Sequence, residues 1–229
     1  MISVDLFLWP MLVPMIIPLV YCVKYKKESL REIGVITLVM GSIVVLYWPL
    51  LTSNYLSSYT YIVVKTLLFI VLPVLALVVF ARDPSLVNVS DFGVKRKGLL
   101  KSLKFCIIFL PIMFVVTAFI QYLSGVHFSA DILSGIISFF ESFTEEFFFR
   151  GILFLYLVQR TNLPVAYCVS VLCFVLMHPQ HFTSLFLAGT IIQGILTVEI
   201  SRRSGNMIGS WFLHGANRVF NLAIIPLFF

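Results

Sequence analysis

The sequence predicts an all-α membrane protein, a polytopic bundle of about eight transmembrane helices. Of its 229 residues, 60% are hydrophobic and only 11% are charged, and the mean hydropathy is +1.05. Apolar stretches of roughly twenty residues follow one another along the chain, which is typical of helical membrane proteins. The short alternating segments of a transmembrane β-barrel do not occur.

Eight hydrophobic segments account for the predicted helices. They span residues 5–23, 33–52, 61–80, 102–123, 131–159, 164–180, 183–200 and 206–228. The first has no basic stretch before it and no small-residue cleavage site, so it is interpreted as a retained span and not a signal peptide. Because the chain contains no internal repeat and no low-complexity linker, residues 1–229 are predicted to form one membrane domain.

Basic residues occur in alternate loops. The odd-numbered loops carry thirteen of the 16 basic residues, and the even-numbered loops carry none: Lys24, Lys26, Lys27, Arg31, Arg82, Lys95, Arg96, Lys97, Lys101, Lys104, Arg160, Arg202 and Arg203. The positive-inside rule then predicts cytoplasmic odd loops and both termini outside. We expect a multi-pass protein in the plasma membrane of a prokaryote. The position of the basic residues in loops beside the lipid bilayer thus explains the net charge of +6, and no nucleic-acid partner is expected. Three basic residues remain, Lys65, Arg150 and Arg218. We single out Arg150 and Arg218 as isolated charges within predicted spans.

Two adjacent carboxylates, Glu145 and Glu146, lie in the middle of the fifth segment, followed by Arg150. A charge at the centre of a membrane helix costs several kcal/mol by most estimates, so it usually has a function. Glu146 and Arg150 are one helical turn apart and can form an ion pair. Glu145 points about 100° away from Glu146 and is therefore predicted to face a cavity.

Other polar residues are predicted at a similar depth: His178 on the sixth helix, and His214 and Asn217 on the eighth. This set suits hydrolysis, because a carboxylate in an apolar pocket is a stronger base than in water. Glu145 and His178 could deprotonate a water, and His214 and Asn217 could donate to an oxyanion. Alternatively, a carboxylate and the two histidines could hold a divalent metal such as zinc; the possible ligands are Glu146, His178 and His214. The residues alone leave both alternatives open.

Three neighbouring residues carry weaker expectations. Glu141, one turn before Glu145, could line the same cavity. His181 is expected in a loop at the outer interface. Asn217 could instead form a helix–helix hydrogen bond, which is common in membrane bundles.

The spacing of these residues resembles the CPBP family of intramembrane proteases, the group of CAAX prenyl proteases and bacteriocin-processing (Abi) proteins that includes the Ras-converting CAAX protease. The resemblance covers residues 131–221 and rests on Glu145-Glu146-x-x-x-Arg150, Phe174-x-x-x-His178, and His214 followed closely by Asn217. It implies an endopeptidase in which Glu145 and His178 activate water, Glu146 and Arg150 support the helix, and His214 and Asn217 stabilise the oxyanion. The chain departs from the family at the fourth residue after His214, where Arg218 replaces the usual Asn or Asp. Either Asn217 or Arg218 is therefore the expected donor.

The resemblance implies a membrane-associated peptide or protein substrate, either a prenylated CAAX tail or a leader-type peptide. It also permits a catalytically silent scaffold or a bacteriocin-immunity protein of the same fold. A proton-coupled transporter would also use buried charges. The absence of an internal repeat makes the transporter the weakest of these alternatives.

Overall fold

The computed structural model describes residues 9–52, 58–80, 87–125 and 129–228, and each of the eight predicted segments is helical there. We number the helices α1 (Trp9–Tyr25), α2 (Leu30–Thr52), α3 (58–80), α4 (Leu99–Ser124), α5 (132–160), α6 (Leu163–Leu176), α7 (Phe186–Ser204) and α8 (208–227). The chain is thus an all-helical bundle, as predicted. The predicted start of the first segment, at residue 5, lies outside the described residues, as does Arg82.

Local sequence explains where several helices begin and end. The Asp131 carboxylate accepts hydrogen bonds from the backbone N–H and hydroxyl of Ser134 and so caps α5. Asn162 caps α6, which has Pro164 in its first turn. α7 ends at Gly205, whose φ of 65° lies in the left-handed region that favours glycine.

Helices α4 to α8 form the half of the bundle that holds the polar residues. α8 packs against α4, α5 and α7, and α6 packs between α5 and α7. Helices α1 to α3 pack together, and contact α5 and α6 through α1 and α3. The N-terminal helices, which carry no sequence signature, therefore lie directly against the helix with the paired carboxylates.

The outer surface of the bundle is apolar. Among the described residues, three helices are long and apolar enough to cross a membrane, namely Lys27–Tyr47, Thr60–Phe80 and Leu99–Ser124. Trp9–Tyr25 and Leu163–Leu176 are shorter apolar helices. Large side chains such as Leu38 and Ile107 are more than 70% exposed. Surface of this kind is suited to contact with lipid.

Candidate active site

The two carboxylates lie where α5 changes its helical geometry. The segment Ile132–Glu146 is α-helical, whereas the ten residues Phe147–Tyr156 form a π-helix and are all buried. π-Helical turns are rare and occur frequently at functional sites. Glu145 and Glu146 are the last two residues before this change, and both are buried.

Arg150 is fully buried and joins α5 to α6 and α7. Its Nε lies 3.2 Å from Oε2 of Glu146, which is the ion pair expected from the sequence. The guanidinium also donates to the hydroxyls of Thr197, at 2.7 Å, and Ser170, at 2.9 Å. It lies 4.6 Å from the ring centre of Phe174. A buried guanidinium with this many partners fixes the position of the Glu146 carboxylate.

Glu146 has a second contact that the sequence did not predict. Its Oε1 lies 2.9 Å from Nδ1 of His214. Because a carboxylate only accepts, Nδ1 of His214 carries the proton, and Nε2 of the neutral ring is an acceptor toward which Nε–H of Arg218 donates at 3.5 Å. Glu146 thus supports the helix and also orients the imidazole of His214.

His178 lies just outside the helix on which it was predicted. The predicted segment 164–180 is too long, because α6 ends at Leu176 and Pro179 begins a short 3₁₀ turn. Nδ1 of His178 is 2.8 Å from the carbonyl oxygen of Phe174. A carbonyl only accepts, so Nδ1 is the donor and Nε2 of this ring is also an acceptor.

The imidazoles of His178 and His214 both face the carboxylate of Glu145. Its Oε2 lies 3.9 Å from Nε2 of His178 and 3.9 Å from Nε2 of His214. This oxygen is buried and has no hydrogen-bond partner among the described residues. Three acceptor atoms therefore surround one small space, which suits a donor such as water.

The other oxygen of Glu145 is neutralised by two cations. Nζ of Lys65 lies 2.5 Å from Oε1, and Nη2 of Arg218 lies 3.3 Å from the same atom. The expectation that Glu145 lies in a largely apolar pocket is therefore incomplete. Its negative charge is compensated on the Oε1 side, while Oε2 faces the histidines.

Lys65 is the residue of the site that sequence reasoning missed. Its side chain is fully buried and forms ion pairs with both Glu141 and Glu145. The hydroxyl of Tyr61 donates to Glu141 at 2.7 Å and lies 2.9 Å from the hydroxyl of Tyr47. A signal was present: Glu141 and Glu145 are one turn apart, and two like charges in that position require a cation.

Asn217 connects three helices. Its Oδ1 accepts from the hydroxyl of Thr117 at 2.7 Å, and its Nδ2 donates to Oε1 of Gln193 at 2.9 Å. These are the helix–helix hydrogen bonds considered as the alternative for this residue. Arg218, by contrast, points its guanidinium at Glu145 and lies 3.5 Å, Nε to Nε2, from His214.

A cavity of about 270 Å³ adjoins the site between α4, α7 and α8. His178, His214, Asn217 and Arg218 are among the residues that line it. His181 lines it as well and stacks on His178 at 5.4 Å. His181 thus lies in the connection between α6 and α7, as expected, and the 3₁₀ turn also brings its ring into the cavity.

The possible metal ligands do not come together as one set. Glu146 contacts the Nδ1 edge of His214, whereas His178 and Glu145 face the Nε2 edge. Among the described residues, no group of three His, Cys, Asp or Glu side chains is arranged to hold a metal ion. The donor set Glu146, His178 and His214 thus does not fit a single metal.

Comparison with known proteins identifies the same part of the chain. Residues 132–220 match the family model described as Rce1-like, type II CAAX prenyl endopeptidase Rce1-like. No curated protein and no solved structure matches the chain. The matched region contains the helices that carry Glu145, Glu146, Arg150 and His214, together with His178. Residues 132–220 of this membrane protein are thus similar to the CAAX prenyl endopeptidases that this family model describes.

Proposed function

We propose that the chain is an intramembrane endopeptidase in which Glu145 is the general base. The observation that carries the proposal is the unpartnered Oε2 of Glu145, placed 3.9 Å from two imidazole Nε2 atoms. If a water oxygen lies about 2.8 Å from Oε2 of Glu145 and from one Nε2 atom, the angle between these two atoms at the water is about 90°. One water can therefore donate to Glu145 and to either histidine.

The reaction then follows from these positions. Glu145 accepts a proton from the water as the water oxygen attacks the carbonyl carbon of a peptide bond. His178 holds that water in line, with its ring oriented by the carbonyl of Phe174. The carbon–nitrogen bond breaks, and the proton held by Glu145 passes to the leaving amine. Each proton is accounted for without another reactant.

Arg218 is the better candidate for the oxyanion donor. Neutral His214 gives its only N–H to Glu146, so it can donate to an oxyanion only as an imidazolium. The amide of Asn217 accepts from Thr117 and donates one N–H to Gln193, which leaves it a single uncharged N–H. The guanidinium of Arg218 has several N–H groups, lines the cavity and is 33% exposed. A permanent cation here would stabilise the developing negative charge.

No step of this reaction uses a metal ion. The proposed base, the water-holding imidazole and the oxyanion donor are all side chains of the chain, and the expected ligand set does not fit. The substrate class remains as expected from the sequence, a membrane-associated peptide. A leader-type peptide and a prenylated CAAX tail are both candidates.

The test is peptide cleavage by purified protein in detergent, using a peptide library that includes farnesylated CAAX peptides. Wild type and Glu145→Gln are compared, each with and without a chelator. Glu199→Gln is a matched control, because Glu199 pairs with Arg202 and Arg203 at the far end of α7.

We expect cleavage by the wild type and the control, a loss of at least about 10³-fold in Glu145→Gln, and no effect of the chelator. Equal cleavage by Glu145→Gln would remove Glu145 as the base. Loss of cleavage with the chelator would refute the metal-free reaction. No cleavage by any variant would favour the silent scaffold.

A further inference from the structure

The folded chain gathers its basic loops at one end of the bundle, which we call the basic end. The side chain of Asn206 donates to the carbonyls of Lys95 and Lys97, which brings the α7–α8 turn against the loop before α4. Phe92 of the same loop packs on Tyr156, near the end of α5. The thiol of Cys22 contacts the carbonyl of Arg160, which adds the end of α1. Four separate loops thus form one cationic surface.

The basic end is tightly closed. A Cβ on Gly98 would lie 2.2 Å from the carbonyl oxygen of Ser204, and one on Gly209 would lie 2.2 Å from the carbonyl oxygen of Ser102. The hydroxyl of Ser102 also accepts from the N–H of Gly209 at 2.8 Å. Backbones in such close contact leave no room for a peptide to pass. Among the described residues, these contacts between α4, α7 and α8 leave no path for a peptide between the three helices at this end.

The cavity extends in the opposite direction. Its inner wall includes His214, which is 1% exposed, and its outer wall includes the exposed Gln180 in the turn between α6 and α7. Asn221, one turn beyond Asn217 toward the same end, also lines it. The cavity therefore extends toward the end of the bundle that holds the α6–α7 turn.

That end carries no basic loop residue. The α4–α5 connection, residues 125–131, and the α6–α7 connection, residues 177–185, contain no Lys or Arg. Asp131, in the first of these connections, caps α5. A membrane protein with all its basic loops at one end is inserted with that end in the cytoplasm. The open end then faces outward.

We propose that the active-site cavity opens on the extracytoplasmic side of the membrane and receives a peptide segment presented from outside. That the peptide is a substrate rests on the proposed function, whereas the side on which the cavity opens does not depend on it. The substrate class is then an extracytoplasmic leader or membrane-anchored segment. A prenylated tail of a cytoplasmic protein would reach the closed basic end. At about 270 Å³, the cavity suits a short extended segment and no folded domain.

The first test is labelling of single introduced cysteines in bacterial cells that express the full chain. Thr183→Cys lies at the open end and Lys97→Cys at the basic end, and both positions are exposed. The wild-type chain is the control for its own four cysteines, three of which are buried. Removing one of thirteen basic loop residues leaves the charge bias intact.

A charged, membrane-impermeant thiol reagent is expected to label Thr183→Cys in intact cells and Lys97→Cys only after permeabilisation. The reversed pattern, or equal labelling of both without permeabilisation, would overturn the proposal. A second measurement adds an unprenylated library peptide outside cells that express wild type or Glu145→Gln. Outward labelling without cleavage would refute the protease and leave the outward opening in place, so the two failures are distinguishable.

Discussion

Lys65→Met tests whether the N-terminal helices hold the site together. The Lys65 side chain is completely buried, and it neutralises Glu141 and shares the neutralisation of Glu145 with Arg218. Without it, the hydroxyl of Tyr61 is the one side-chain donor to Glu141 that remains in the described part of the chain. Removing one partner of a buried ion pair costs about 3–5 kcal/mol, because the other charge is left uncompensated. We expect the free energy of unfolding to fall by that amount.

The assay is unfolding in mixed micelles by titration with a denaturing detergent, followed by circular dichroism. Lys97→Met makes the same change on an exposed side chain at the basic end and should shift stability by less than about 0.5 kcal/mol. In the double variant Lys65→Met with Glu141→Gln, the orphaned charge is gone and Glu145 keeps Arg218. This variant should recover stability, with a coupling energy of about 1–3 kcal/mol. A Lys65→Met protein as stable as wild type, or strictly additive variants, would refute the reasoning.

Three further predictions concern the site itself. Glu146→Gln should lower kcat by about 10²–10⁴-fold with little change in KM. The amide has one acceptor oxygen, and if this oxygen faces Arg150, its NH2 group faces Nδ1 of His214 and reverses the tautomer. An unchanged kcat would mean that Glu146 acts only through Arg150. Arg218→Gln should lower kcat by about 10²–10³-fold, with partial recovery in Arg218→Lys; equal activity of both variants would remove Arg218 as the oxyanion donor. Asn217→Ala should lower the free energy of unfolding by about 0.6–1.7 kcal/mol and kcat less than tenfold, because its amide joins helices; a larger loss of kcat at unchanged stability would return the oxyanion role to Asn217.

Much of the site was predictable from the sequence because its geometry is local. The Glu146–Arg150 pair is set by one helical turn, and His178 lies four residues after Phe174, whose carbonyl holds it. The helix end at Leu176 was missed because the apolar pattern continues through Met177, and the predicted segment ran on to residue 180. Hydropathy reports burial in the membrane and does not report where the backbone leaves the helix.

The sequence by itself determined the all-helical membrane fold, the eight segments and the polar residues at a common depth, since these follow from apolar length and helical period. Only the tertiary structure brought Lys65 of α3 to Glu145 of α5, and Glu146 to His214 of α8. Such contacts join residues 68 to 80 positions apart. Their existence depends on how helices pack, and no local pattern encodes that. The same packing placed the cavity away from the basic end, which is the observation behind the proposed outward opening.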